Sequence, residues 1–299
     1  MNVHNVNNLL LTSIVTAALI AVPLGLILAL RLRAALPQHR SRAGARKAAW
    51  SAADVIAPLQ GQDADLNSQT SATDSTLHFE CTATIFLGSG GHTAEMLQLV
   101  SGLDTVKYPL RHYVVGWDDD SSVQKAHTLE SARGQRDITV EYKECLNETG
   151  NADVSKALRG YTVHRIPRSR HVHQSLISTP ITLAKSLKFA LPLIKTLTCL
   201  DRPGCVATTD WHSKKERRSM LLMNGPGTCF ALALAVIGAR IVGVPDEATP
   251  DLVFVESFAR VRTLSLAGRL LYPLCDVFMV QWPGLRERYP RAQYIGILV

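Results

Sequence analysis

The residues best suited to chemistry sit in short runs that follow β-forming sequence. In TATIFLGSGGHTAEML, residues 82–97, the strand-like Thr84-Ile85-Phe86-Leu87 stops at Gly88. Gly88, Ser89, Gly90 and Gly91 then lead into His92 and a helical pattern. A strand, a small-residue turn and a helix start together offer backbone N–H groups to an anion, above all a phosphate. A dinucleotide fingerprint would need a third glycine where Thr93 stands, and a Walker loop would need a Lys, so this is another kind of phosphate-handling turn. His92 falls in the first helical turn, where the positive end of the dipole favours a neutral imidazole able to take a proton. Capping or packing at the helix start is an equally good account of it.

Three further runs have the same placement. In LLMNGPGTCFALALAV, Asn224, Gly225, Gly227 and Thr228 form a turn that feeds an apolar helix. The turn suits a second anionic contact, or simply a tight connection with Thr228 as N-cap. In LVFVESFARV, Glu256 follows four apolar residues directly, where a carboxylate could act as acid or base, or pair with Arg260 or Arg262. In HRIPRSRHVHQS, Arg165, Arg168, Arg170, His171 and His173 crowd one loop. Forked guanidinium groups suit a diphosphate, and a solvated basic loop is the competing account. Asp118 and Asp120 of WDDDSS look like a metal-binding D-x-D pair, but an N-cap role for Asp120 or Ser121 fits the following helix better. The run Lys214-Lys215-Glu216-Arg217-Arg218 reads as a surface insertion. No metal is expected.

The elements that must position these residues alternate. Strands are expected at Thr82–Leu87, His112–Val115, Tyr161–Ile166, Ser219–Met223, Leu252–Val255 and Val277–Gln281. Helices are expected near His92–Gly102, Ser121–Arg133, Thr179–Thr198, Thr228–Gly238 and Arg262–Leu271. Strand–helix alternation at this spacing predicts an α/β, doubly wound, mostly parallel sheet, with ligands at the C-terminal ends of its strands. This domain is assigned to residues 78–299.

The first third of the chain is different. Residues 9–30 carry no charge, and at about 1.5 Å rise per residue such a helix covers a bilayer's hydrocarbon core. A transmembrane signal-anchor helix is therefore expected, and no A-x-A site closes the run as a cleaved signal would require. Residues 31–77 read as a basic juxtamembrane segment followed by a polar linker over 48–76. Arg31, Arg33, Arg40, Arg42, Arg46 and Lys47 are six positive charges; subtracting them from the net +7 leaves +1 for residues 48–299. The basicity belongs to the membrane flank, not to a nucleic-acid-binding face, and it predicts affinity for anionic lipids. It also places the C-terminal body in the cytosol. The six cysteines form no C-x-x-C pair and read as reduced thiols, and the sequon Asn147-Glu148-Thr149 should stay unglycosylated.

FLGSGGHTAEML, IPRSR…QS, NGPGTC, ESFARVRTLSLAGRLLYPLCDVFMVQWP and the terminal YPRAQYIGILV closely resemble the membrane-anchor subunit family of the dolichol-pathway UDP-N-acetylglucosamine transferase. The resemblance runs over residues 82–299. It implies a domain equivalent to the N-terminal, acceptor-binding half of a GT-B glycosyltransferase, and β-1,4 transfer of a second GlcNAc onto GlcNAc-diphosphodolichol at the cytosolic face of the endoplasmic reticulum. Single-pass topology with a short lumenal N-terminus follows, in that membrane or the continuous nuclear envelope. It implies that Gly90, Gly91 and His92 lie near the acceptor diphosphate, and Gly88, Ser89, Asn224, Gly225, Gly227, Thr228, Arg168 and Arg170, candidates on their own chemistry, are expected to face it with them. His92 and Glu256 would carry catalysis, with His92 the favoured base and Glu256 orienting.

No cofactor is implied. The donor half is expected in a small cytosolic partner subunit, because the sequence holds one domain's worth of elements. The apolar end, Tyr294, Ile295, Ile297, Leu298 and Val299, is expected to pack into the junction with that partner, a final edge strand being the alternative. A self-sufficient transferase and a scaffold without active-site residues are the two other readings of the whole.

Overall fold

The computed structural model describes residues 25, 29–37, 82–141, 143, 159–169, 179–197, 219–225, 227–244 and 249–297. Nearly all of the expected 9–30 span, the 48–76 linker, Arg170, His171, His173, the 214–218 run, Leu298 and Val299 lie outside the described residues. Among the described residues, no helix is long and apolar enough to cross a membrane.

Seven strands form one sheet: β1 Thr82–Phe86, β2 Leu110–Gly116, β3 Gly160–Ile166, β4 Met220–Asn224, β5 Asp251–Val255, β6 Val277–Val280 and β7 Ala292–Tyr294. Their order is β3-β2-β1-β4-β5-β6-β7, and every pairing is parallel. Among the described residues, the helices between them include α1 Gly91–Ser101, α2 Asp120–Ala132, α3 Thr179–Leu197, α4 Thr228–Ile241, α5 Leu266–Leu271 and α6 Pro283–Arg288. The chain winds outward through β1, β2 and β3, then returns to lay β4 against the other side of β1. That reversal opens a crevice beyond the C-terminal ends of β1 and β4, where ligands bind in sheets of this kind.

Both faces of the sheet are covered, which is why its central strands are almost continuously apolar. One face packs Ile85, Tyr113, Leu222 and Val253 beneath α1 and α2, through Met96, Leu99, Val100 and Ala126. The other packs Phe86, Val114, Leu221 and Phe254 beneath α3 and α4, through Ala190, Ile194, Leu232 and Val236. Successive strand residues alternate between the two cores, as the period of a strand requires. A helical stretch over residues 29–35 docks on the second face. There Ala35 is buried, and Arg31 Nη1 donates to the carbonyl of Ile241 at 3.2 Å, at the C-terminal end of α4.

Three boundaries differ from the sequence reading for identifiable reasons. Strand β2 starts at Leu110 because Arg111, fully buried, pairs in two-pronged fashion with Glu130 of α2 at 2.8 and 2.7 Å, so a charged residue sits inside the strand. Helix α5 starts at Leu266 and not near Arg262, since Ser265 is its N-cap and accepts from the Gly268 N–H at 2.9 Å. The N-cap of α2 is Asp119, which accepts from the Ser122 N–H, and not Asp120 or Ser121. Helix α6 lies outside the expected helices, whereas β7 begins the final edge strand given above as the alternative for the apolar end. Both are short, and β7 needs the edge of β6 to exist. Cys229 and Cys275 are free and buried, and burial raises both thiols well above their ordinary range.

Candidate functional site

The turn between β1 and α1 stands at the mouth of the switch-point crevice. Gly90 has φ 65°, a left-handed conformation that favours glycine. Ser89, Gly90 and Gly91 are exposed, and a Cβ added at Gly90 or Gly91 would meet nothing within 4 Å, so a ligand can approach this backbone closely. Gly88 is buried. Thr93, where the dinucleotide fingerprint would place glycine, is buried and bonded to Ser122 Oγ at 2.7 Å, and Ser122 Oγ donates to Asp119 at 2.8 Å. Threonine therefore ties α1 to α2 through a hydroxyl chain.

His92 leans from α1 onto the loop after β4. Its Nδ1 lies 2.8 Å from Asn224 Oδ1, and Asn224 Nδ2 donates to Glu95 Oε2 at 2.8 Å. Ser257, just beyond β5, donates its hydroxyl to Glu95 Oε1 at 2.9 Å. One connected array thus joins the ends of β1, β4 and β5. Gly225 closes it from behind: its φ is 98°, and a Cβ there would lie 2.6 Å from His92 Cγ. Asn224 is only 2% exposed, so its amide orientation is set by protein partners and not by solvent.

Glu256 is placed differently from His92. It is 1% exposed and accepts from the Ser257 N–H at 3.2 Å, the Ser265 N–H at 3.0 Å and Ser265 Oγ at 3.1 Å. Burial pushes its carboxyl above the usual range, while the Ser265 and Ser257 hydrogen bonds pull the other way. The side chain anchors the 257–265 loop and the start of α5. Gly268 is the reason it fits, since a Cβ there would lie 2.1 Å from Glu256 Oε2. The carboxylate joined to His92's array is Glu95, which the sequence reading did not single out. A signal was present: Glu95 follows His92 by three residues on a helix, and so shares its face.

The remaining candidates are spread around the rim. Thr228 Oγ1 accepts from the Ser169 N–H at 3.2 Å, docking the loop after β3 onto the start of α4, and the N-cap of α4 is Gly227. Arg168 pairs with Asp118 at 3.0 Å, and Arg165 with Asp120 at 2.5 Å. Asp118 and Asp120 of the WDDD run thus face the arginines at and just beyond the end of β3, and Asp119 lies 4.0 Å from Arg168. Among the described residues, no group of three or more His, Cys, Asp or Glu side chains converges to hold a metal. At the far edge of the sheet, Ile295 is buried in the core and donates its N–H to Val280, so the apolar end begins as an edge strand. Tyr294 and Ile297 are 41% and 53% exposed.

The sequence model of a family described as "Oligosaccharide biosynthesis protein Alg14 like" matches residues 83–298. The chain belongs to this family. The family's segment begins one residue into β1 and covers the sheet, so the turn, the His92 array and the β7 edge all lie within it. The UDP-N-acetylglucosamine transferase subunit ALG14 of Rattus norvegicus is 39% identical over 215 residues, covering 72% of this chain and 82% of that protein. The Homo sapiens subunit of that name is 36% identical over 215 residues, covering 72% and 82%. The Schizosaccharomyces pombe subunit is 36% identical over 214 residues, covering 72% and 81%. No solved structure matches the chain.

Proposed function

We propose that this chain is the acceptor-binding, membrane-anchoring subunit of a two-subunit UDP-N-acetylglucosamine transferase. It binds GlcNAc-diphosphodolichol at the cytosolic face of the endoplasmic reticulum, and a small cytosolic subunit brings the nucleotide sugar. The observation that carries this reading is the exposed glycine turn beside a half-buried, hydrogen-bonded histidine at the sheet's switch point. The family's relatives, named as UDP-N-acetylglucosamine transferase subunits, support a sugar-transfer substrate for that site. The uncharged run over 9–30 and the six positive charges behind it support the anchoring role and the cytosolic placement of the body.

The transfer follows from the site's parts. The turn Gly88–Gly91 and the start of α1 hold the acceptor's diphosphate with backbone N–H groups, aided by the loop at Asn224, Gly225, Gly227 and Thr228. Arg168, on the rim, serves as a further anion contact, and the sequence assigns Arg170 the same role. The acceptor hydroxyl oxygen bonds to the anomeric carbon as the bond from that carbon to the nucleotide's phosphate oxygen breaks. The leaving diphosphate takes the electron pair, and the configuration inverts. The hydroxyl proton passes to Nε2 of His92. Glu256 orients the 257–265 loop beside the site without touching the reacting atoms. The tail at Tyr294, Ile297, Leu298 and Val299 contacts the partner subunit, while Ile295 holds the tail to the sheet.

The test is transfer of labelled GlcNAc from UDP-GlcNAc to a GlcNAc-diphospho-lipid, in membranes carrying the full chain with and without the candidate small subunit. Transfer only with both present supports the reading. Transfer by this chain alone identifies a complete enzyme, and undiminished transfer by H92A in the assembled complex removes the histidine from the chemistry.

A further inference from the structure

Resting on the reading of His92 as proton acceptor, we infer that Glu95 is a positioning residue that acts through Asn224 to fix which ring nitrogen of His92 carries the proton. The argument is one of donors and acceptors. A carboxylate offers only acceptors, so the Asn224 group facing Glu95 Oε2 at 2.8 Å is the NH2. The other end of that amide, the oxygen, then faces His92 Nδ1 at 2.8 Å. A carbonyl oxygen requires a donor opposite it, so Nδ1 holds the proton. Neutral imidazole has one N–H, so Nε2 keeps its lone pair. If the amide reversed, its NH2 would face Nδ1, the proton would move to Nε2, and the ring could no longer take a proton there.

Glu95 is itself held in the orientation that this requires. The Ser257 hydroxyl oxygen accepts from the Ala259 N–H at 3.3 Å, so its proton is free to go to Glu95 Oε1, at 2.9 Å. Both carboxylate oxygens are therefore engaged by donors from different strand ends. Gly225, packed against the ring, keeps His92 in register with Asn224. The buried amide has no solvent to turn towards. The relay runs from Ser257 through Glu95 and Asn224 to His92. It leaves Nε2 without a hydrogen bond among the described residues.

The test uses the full chain assembled with its partner subunit in membranes. In E95Q the new carboxamide presents an NH2 as readily as an oxygen, so Asn224 is released to turn. The expected result is a fall in kcat of roughly ten- to a hundredfold, since a positioned base contributes on the order of 10²–10⁴-fold. The KM for GlcNAc-diphospho-lipid should change less than kcat, because Glu95 stands outside the diphosphate contacts and only the amide of Asn224 turns. In the double variant E95Q/N224D, the carboxylate at 224 accepts from the ring on one oxygen and from the carboxamide on the other. The Nδ1–H form returns, and kcat recovers by about tenfold over E95Q.

Nitrogen-15 spectra of histidine-labelled full chain in lipid read the proton's position directly, with H92A assigning the resonance. They should show protonated Nδ1 in the wild type, movement towards Nε2 in E95Q and return in the double variant. This readout holds whatever the variant does to yield. Wild-type kcat in E95Q overturns the inference, and so does a lost kcat with the proton still on Nδ1; in both, the base role of His92 survives. Full transfer by H92A overturns both readings together.

Discussion

The position of His92 depends on a residue that has no side chain. Gly225 combines φ 98° with a Cβ direction that points into the imidazole ring at 2.6 Å. Substituting alanine there strains the backbone and drives the ring away from Asn224. Gly225→Ala should cost about 1–3 kcal/mol of stability and lower transfer by roughly a hundredfold. Thermal unfolding and the transfer assay, run on the same preparation, check the two effects separately. A near-normal rate with lowered stability would mean that the ring's orientation does not govern transfer. Sequence inspection marks Gly225 only as part of an NGPG turn. The ring behind it belongs to a helix 133 residues earlier, so nothing local announces the contact.

Strands and loops carry two titrations that can be read in stability. On β2 and β3, Thr162 Oγ1 stands 2.7 Å from His112 Nδ1 and 2.8 Å from His164 Nε2. Burial, with a smaller contribution from Lys143, lowers His164 to about 4. The unfolded chain takes up that proton near 6.5, so the folded state binds fewer protons between the two values. Stability from this group is present above pH 6.5 and is lost as pH falls towards 4, by at most roughly 3–4 kcal/mol at about 1.4 kcal/mol per pH unit. H164N should flatten that acid decline in denaturant-unfolding curves.

Glu256 has the opposite sign. Its folded value is raised, so the folded state binds the proton more strongly, and stability is lost as pH rises through and above the usual carboxylate range. The difference in Tm between E256Q and wild type should therefore move in the variant's favour as pH rises across that window. A constant difference would show that the carboxyl is not charging at a cost in the folded protein. Both effects depend on burial, which the strand pattern foretells for β3 and β5 as whole elements but not for a single imidazole or the carboxyl that follows a strand.

For the whole molecule, the sheet edge formed by β7 divides the apolar C-terminal run into two parts. Ile295 is buried and bonded to β6, whereas Ile297 is half exposed and the family's segment continues to residue 298. Deleting residues 297–299 should abolish capture of the small subunit and leave the body's Tm within about 2 °C, since the last core residue is retained. Unchanged capture would assign the partner to another surface. The body's placement is tested independently: Asn147 should stay unglycosylated in a cytosolic body, and glycosylation there would reverse the topology.

By itself the sequence determined the alternation of elements, the parallel sheet and the glycine turns at strand ends. Each of these follows from local composition and period, from apolar runs of strand length, glycines where φ must be positive, and caps at helix starts. The family match over residues 83–298 spans the same elements. Only the tertiary structure decided which strand ends meet. Laying β4 beside β1 brought Asn224 to His92 and Glu95, and laying β5 beside β4 added Ser257 to the same array. The same packing turned Glu256 away into the cap of α5 and gave the arginines of β3 to the aspartates after β2. Hydrogen-bond partners across a parallel sheet are set by strand order, and strand order is a long-range property that no stretch of sequence carries alone.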